Sequence, residues 1–209
     1  GIGIDAMLET GNYGMSQKGG TRDAGYWLAG SAIGQTAVKF TYGADFGTIA
    51  ADYWYQSGLQ TIGLGYAGNA AGWSFFVNAL VCLDDNGFLR VHPEFYIDGK
   101  AGDIGIQLFV PFTYNTASVG YWNYRPGCQG AEGAHVGTTA KISFPAGSLN
   151  GYVELKVADW LNDLSVNVIP ALTGAVGSMG WEAKFDASIT PDAANVFTFD
   201  VPVIFTLNF

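Results

Sequence analysis

Charge is the scarcest commodity in this chain. Only 13% of its residues are charged, about half the share of an ordinary soluble domain. Basic residues are fewest, with 9 Lys and Arg against 18 Asp and Glu, giving a net charge of −9. Without a basic patch to neutralise phosphates, nucleic acid is excluded as a partner. No apolar run approaches the roughly 18 residues of a membrane-crossing helix. The only cysteines, Cys82 and Cys128, allow one disulfide at most and do not fix the redox compartment. Linkers, charge blocks and low-complexity tracts are also missing, so residues 1–209 are read as one domain. The chain opens at Gly1 with no charged-then-apolar leader, and the expectation is a mature chain whose targeting signal is gone or not shown.

Helical periodicity is almost absent as well. In its place, segments of about ten residues alternate apolar with polar or small side chains, divided by Gly, Asn, Asp and Pro clusters. Strands are predicted near 2–10, 24–34, 35–43, 48–57, 59–67, 72–83, 88–98, 103–114, 117–124, 134–144, 151–159, 163–174, 180–189 and 195–209. That is about fourteen, or twelve if weak segments merge or one is a loop.

Folding adjacent segments onto each other gives registers that keep apolar faces together. Turning about "ADFG" sets Lys39 opposite Asp52. Turning about "PAGSLN" sets Lys141 opposite Glu154 and Ile142 opposite Val153. Turning about "TPDAA" sets Lys184 opposite Asp200 and Phe185 opposite Phe199. Turning about "GKAG" sets Phe95 beside Ile106 and Glu94 beside Gln107. Three hairpins thus bring opposite charges together across the less apolar face, which is a favourable pairing.

Two all-β architectures accommodate such alternation. A soluble β-sandwich or jelly roll turns the apolar faces inward, whereas an antiparallel up-and-down transmembrane β-barrel turns them outward to lipid. Aromatic positions favour the barrel. Tyr42, Tyr66 and Trp73 are expected on the apolar face near one rim, and Tyr55, Tyr114, Trp181 and Phe209 near the other. Two such girdles suit the two membrane interfaces. Pro93, Pro111, Pro170 and Pro202 lie inside predicted strands, where a closed barrel has no edge to house them, and the connections read as short on both sides. These features favour the sandwich.

The stretch "VPVIFTLNF", closing on Phe209 behind alternate apolar residues, resembles the last strand of bacterial outer-membrane β-barrel proteins. The resemblance implies an outer-membrane location, a lipid bilayer as surroundings and a porin-like channel. It also implies that Phe205, Leu207 and Phe209 are read by the barrel assembly machinery, and it leaves room for a homo-oligomer. The polar face would then line a pore with Lys39, Asp52, Arg90, His92, Glu94, Lys141, Glu154, Lys156, Glu182, Lys184, Asp186 and Asp200. Near-balanced charges of both signs give a pore little ionic selectivity, so the expected activity is passive diffusion of small solutes with weak cation preference. The rival is a secreted or virion β-sandwich that self-assembles into a filament, sheath or shell.

Enzymatic readings find little support. His92 shares its face with Arg90 and Glu94, but no G-x-S-x-G elbow accompanies it, and a histidine in a hydrogen-bond ladder is the simpler account. "LDDNG" at 83–87 reads as a hairpin turn rather than a metal site. "GLGYAG" at 63–68 precedes no helix, so a dinucleotide site fails its context. No cofactor, metal or catalytic residue is expected. Cys82 is expected near the periplasmic end of its strand and Cys128 in an extracellular loop, too far apart to bond.

Overall fold

A computed structural model of the chain describes residues 1–11, 32–56, 59–84, 87–117, 131–162, 164–191 and 196–207. Its elements are β1 (Ile2–Gly11), β2 (Ala32–Ala44), β3 (Gly47–Gln56), β4 (Leu59–Ala70), β5 (Trp73–Asp84), β6 (Gly87–Ala101), β7 (Ile104–Asn115), β8 (Gly133–Val136), β9 (Thr138–Ala146), β10 (Leu149–Val157), β11 (Val166–Val176), β12 (Met179–Lys184), β13 (Asp186–Ile189), β14 (Phe197–Asp200) and β15 (Val203–Leu207). The fold is all-β and antiparallel, and every strand belongs to one sheet. Its main path runs β1-β2-β3-β4-β5-β6-β7-β9-β10-β11-β12-β15, with β8, β13 and β14 continuing neighbouring columns. Among the described residues no ladder joins β1 to β14 or β15.

That path has twelve columns rather than fourteen. The predicted strand at 24–34 falls mostly outside the described residues, and β1 pairs directly with β2. Most of the predicted strand at 117–124 also lies outside them, and β7 pairs directly with β9. The predicted strands at 134–144, 180–189 and 195–209 each appear as two pieces, broken at Gly137, at Phe185 and at Val201–Pro202.

The prolines explain these breaks. In an antiparallel ladder a residue's N–H and C=O point to the same neighbour, so a proline keeps its acceptor and loses its donor. Pro111 accepts from Gly137 N at 3.1 Å, at the break between β8 and β9. Pro170 accepts from Phe185 N and Pro202 from Lys184 N, both at 3.0 Å, on either side of the break between β12 and β13. Beside Pro93, the β6–β7 ladder passes from Val91–Tyr114 to Glu94–Pro111 with no bridge between. Pro111 and Pro170 are therefore tolerated within the sheet because the facing strand is interrupted where the donor is lost, while Pro202 lies in the last column of the described path.

Two rims differ sharply. The turns 45–46, 71–72, 102–103, 147–148 and 177–178 all lie at one rim, called the turn rim. The longer connections 12–31, 116–132, 158–165 and 190–196 lie at the other, the loop rim, together with the two-residue connections 57–58 and 85–86. The expectation of short connections on both sides therefore fails at four of the six loop-rim connections.

Two registers match expectation, with Lys39 opposite Asp52 and Lys141 opposite Glu154 beside Ile142 opposite Val153. Two do not. Phe95 pairs with Val110 and Glu94 with Pro111, because β6 continues to Ala101 and the turn is Gly102–Asp103 rather than the centre of "GKAG". Asp200 faces Asp186 instead of Lys184, and Phe199 faces Ala187, since the Phe185 break shifts the pairing. Phe185 and Phe199 still stack at 5.5 Å. Both slips are even-numbered, so each face keeps its residues.

Gly47 enters β3 with φ +138°, and a Cβ there would stand 2.3 Å from the Ala67 carbonyl oxygen. Gly72 has φ +81° and open space around it. Gly47→Ala is expected to cost roughly 2–4 kcal/mol from overlap and backbone strain together, and Gly72→Ala about 1 kcal/mol from strain alone. Urea unfolding midpoints of the two variants, read against the parent, check the difference.

Candidate functional site

Alternation gives the sheet one charged face and one greasy face, and burial divides them in an unusual direction. On β6 the side chains of Arg90, His92 and Glu94 are 3%, 0% and 2% exposed. Apolar residues of the opposite face are exposed, among them Leu64, Val77, Phe95, Ile142, Leu172, Phe199 and Phe205. The polar face is thus the protected one, and it is the candidate site.

Its densest part lies near the loop rim. The His92 ring spans two partners, with Nε2–H donating to Glu94 Oε1 at 2.9 Å and Nδ1 lying 2.7 Å from the Thr113 hydroxyl. A carboxylate only accepts, so the Nε2 proton faces Glu94, and the ring links the Thr113 hydroxyl to that carboxylate. This side-chain bond crosses from β6 to β7 where the backbone bridge is missing beside Pro93. Arg90 Nε donates to Asn115 Oδ1 at 2.6 Å, and Asn115 Nδ2 donates to the Ala131 carbonyl at 2.6 Å. The order hydroxyl, imidazole, carboxylate is that of an activated nucleophile. Thr113 is only 1% exposed, however, so these contacts leave no approach for a substrate carbonyl.

One register step further, His135 of β8 stands opposite Thr113. Its Nδ1 donates to Asp159 Oδ2 at 2.7 Å, while Nε2 lies 3.1 Å from the Ala131 carbonyl. Asp159 Oδ1 accepts from Val136 N at 3.2 Å and Leu161 N at 3.0 Å, and Oδ2 accepts from Asn162 Nδ2 at 3.0 Å. Burial alone would raise the Asp159 pKa. The hydrogen bonds from Leu161, Asn162, His135 and Val136 outweigh it and hold the carboxyl below its usual range. The result ties the 158–165 connection to β8.

The second part runs over β9 to β12 and is more open. Glu154 is bonded by Lys156 at 3.2 Å, and Glu182 by Lys184 at 2.9 Å. Lys141 lies over the Tyr152 ring at 3.9 Å, and the Tyr152 hydroxyl donates to Glu182 Oε1 at 2.6 Å. These ion pairs run along a strand, between residues two apart on one face, rather than across it as the hairpin registers had suggested. Asp186 accepts from Asn167 Nδ2 at 3.1 Å, while Asp200 opposite it is exposed. Lys39 and Asp52 face each other in the β2–β3 ladder.

Between these parts the polar face is not polar throughout. Phe76, Tyr96 and Phe109 form a buried cluster on it, with Phe76 and Tyr96 stacked at 5.3 Å. Leu80 and Cys82 are buried beside it. Cys82 sits near the loop-rim end of β5, the same rim from which the 116–132 connection departs. The expected separation of Cys82 from that connection is therefore corrected; Cys128 itself lies outside the described residues.

Tyr42, Tyr66 and Trp73 sit at the turn rim as expected, and Tyr55 and Tyr114 at the loop rim. Trp181 does not, since it pairs with Gly174 and Phe205 next to the 177–178 turn. The direct pairing of β7 with β9 sets the rim at which Trp181 falls. Phe205 and Leu207 lie in β15, and Phe209 falls outside the described residues. Asp159, Asn115 and Tyr152 went unrecognised in the sequence. Asp159 lies in a connection, where alternation has nothing to say, and Tyr152 reads as one more apolar strand residue.

Replacing Asp159 by Asn keeps an acceptor for Val136 and Leu161 but turns a donor toward His135 and Asn162. A loss of about 1–3 kcal/mol is expected. A depressed carboxyl stabilises the fold above its unfolded pKa, and that contribution is lost as pH falls through the folded pKa. Acid unfolding of the parent should therefore include a step below the ordinary carboxylate range that Asp159→Asn flattens, followed by tryptophan fluorescence against pH. Comparison of the chain with known protein families, curated proteins and solved structures found no match.

Proposed function

We propose that this protein is a transmembrane β-barrel of an outer membrane and a passive channel for small solutes. The observation that carries the reading is the inverted burial: Arg90, both histidines and their carboxylate partners Glu94 and Asp159 are buried while Leu64, Phe95, Phe199 and Phe205 are exposed. In water such a surface far exceeds the few hundred Å² of apolar patch that soluble monomers tolerate. In lipid it is the required surface, and a polar interior is what barrels of this class enclose. A single sheet without a second described layer protects one face most simply by curving around it.

Further support comes from the rims. Two-residue turns at all five connections of one side, against four longer connections among six at the other, suit outer-membrane topology. Tyr42, Tyr66, Trp73 and Trp181 at the turn rim, with Tyr114 at the loop rim, suit the two interfaces. Solute passage is assigned to the β9–β12 wall, where Glu154, Lys156, Glu182 and Lys184 are only partly buried. The β5–β8 side, filled by Phe76, Leu80, His92 and Glu94, serves as packing.

The protein is expected in outer-membrane fractions, released only by detergent, and migrating differently on gels before and after boiling. In a Cys128→Ser background, Lys156→Cys should react with a membrane-impermeant thiol reagent in liposomes while Val153→Cys, on the exposed apolar face, stays protected. A monomer freely soluble in plain buffer, or equal labelling at both positions, would sink the reading. Ordered assemblies formed without detergent would favour the self-assembling alternative.

A further inference from the structure

We propose that the connection 158–165 is a strap across the loop rim that seats Trp160 and Leu161 at the boundary between the headgroups and acyl chains of a bilayer. The buried Asp159–His135 pair is the clasp that positions it. The choice of partner rests on the membrane-embedded reading above, whereas the shape of the strap rests on local geometry.

Consecutive side chains of the strap go to opposite faces of the sheet. Asp159 is buried and bonded to His135, on the polar face. Trp160 instead lies against the apolar face. Its Nε1 donates to Thr138 Oγ1 at 2.9 Å, and its backbone N donates to the Val136 carbonyl at 2.8 Å. Thr138 stands directly opposite Val157, and alternation puts both on the face that carries Ile142 and Val153. Ile142 and Val153 are exposed, yet Val157 is 0% exposed. The covered corner of the apolar face is thus the corner to which Trp160 is bonded. Two further bonds close the strap, from Asn162 Nδ2 to the Ala134 carbonyl at 2.7 Å and from Ala158 N to the Ser165 carbonyl at 3.0 Å.

Fixing a loop costs conformational entropy, and here the fixed loop keeps its apolar side chains uncovered. Trp160 is 50%, Leu161 57% and Leu164 37% exposed. Three features make a lipid boundary the fitting occupant. The patch continues the exposed apolar face at its edge, through Thr138 toward Ile142. It lies at a rim, the level at which an amphipathic indole is favoured. Residues 158–165 also carry no Lys or Arg, so attraction to lipid phosphates has no part in the contact, which is apolar.

Single cysteines in the Cys128→Ser background test the strap. They are labelled with a nitrobenzoxadiazole probe and reconstituted into phosphatidylcholine vesicles that carry a nitroxide near either the glycerol end or the tail of the acyl chain. A probe at Leu161→Cys should be quenched most by the shallow nitroxide, at a depth of about 15 Å from the midplane, the edge of the hydrocarbon core. A probe at Val153→Cys should be quenched most by the deep one. Adding anionic lipid should change neither. In Asp159→Asn the quenching at 161 should be largely lost while that at 153 persists, a split that a merely stabilising role would not produce. Quenching at 153 with none at 161 overturns the strap and leaves the bilayer reading standing; none at either position overturns both. A blue-shifted probe at 161 that no lipid nitroxide reaches marks a protein occupant, a second copy included, and also overturns the strap. Equal quenching at 161 in the parent and in Asp159→Asn overturns the clasp.

Discussion

Everything in this fold follows from one constraint: backbone and side-chain polar groups on the protected face must find partners within the sheet. Burying a histidine or carboxylate without a partner costs several kcal/mol, and here Arg90, His92, Glu94 and Asp159 are all buried. Each is held by a neighbour on the next strand or two residues along its own. The opposite face carries no such demand and is free to be greasy. The protected and the exposed face are thereby assigned by hydrogen bonding, with hydrophobicity following.

The same constraint governs the irregular places. Where prolines remove donors, the sheet either breaks the facing strand or substitutes a side-chain bond. Pro170, Phe185 and Pro202 share one such row, and His92 to Thr113 spans another. Each interruption is local because the neighbouring pairs remain in register.

What could be read from the sequence was the face each residue occupies. Period-two alternation fixed Glu154, Lys184 and Asp186 on the polar face before any register was known, and errors of two or four residues left that assignment intact. Partners were less legible. A lysine is long enough to reach two residues along its own strand, so Lys184 meets Glu182 rather than Asp200. Rims depended on the order of the columns: β7 pairs directly with β9, which puts Trp181 at the opposite rim from the one expected. Asp159 was invisible because its role depends on backbone donors at Val136 and Leu161 that no side-chain pattern announces.

The two-residue turns have a kinetic consequence. Five hairpins close over turns at 45–46, 71–72, 102–103, 147–148 and 177–178, so their pairing needs almost no loop-closure entropy. Most contacts in the sheet are therefore between chain neighbours, a pattern that speeds folding despite the all-β architecture. Such a sheet can grow hairpin by hairpin from several places at once. The slow events are left to the joins across the longer connections, between β1 and β2 and between β7 and β9.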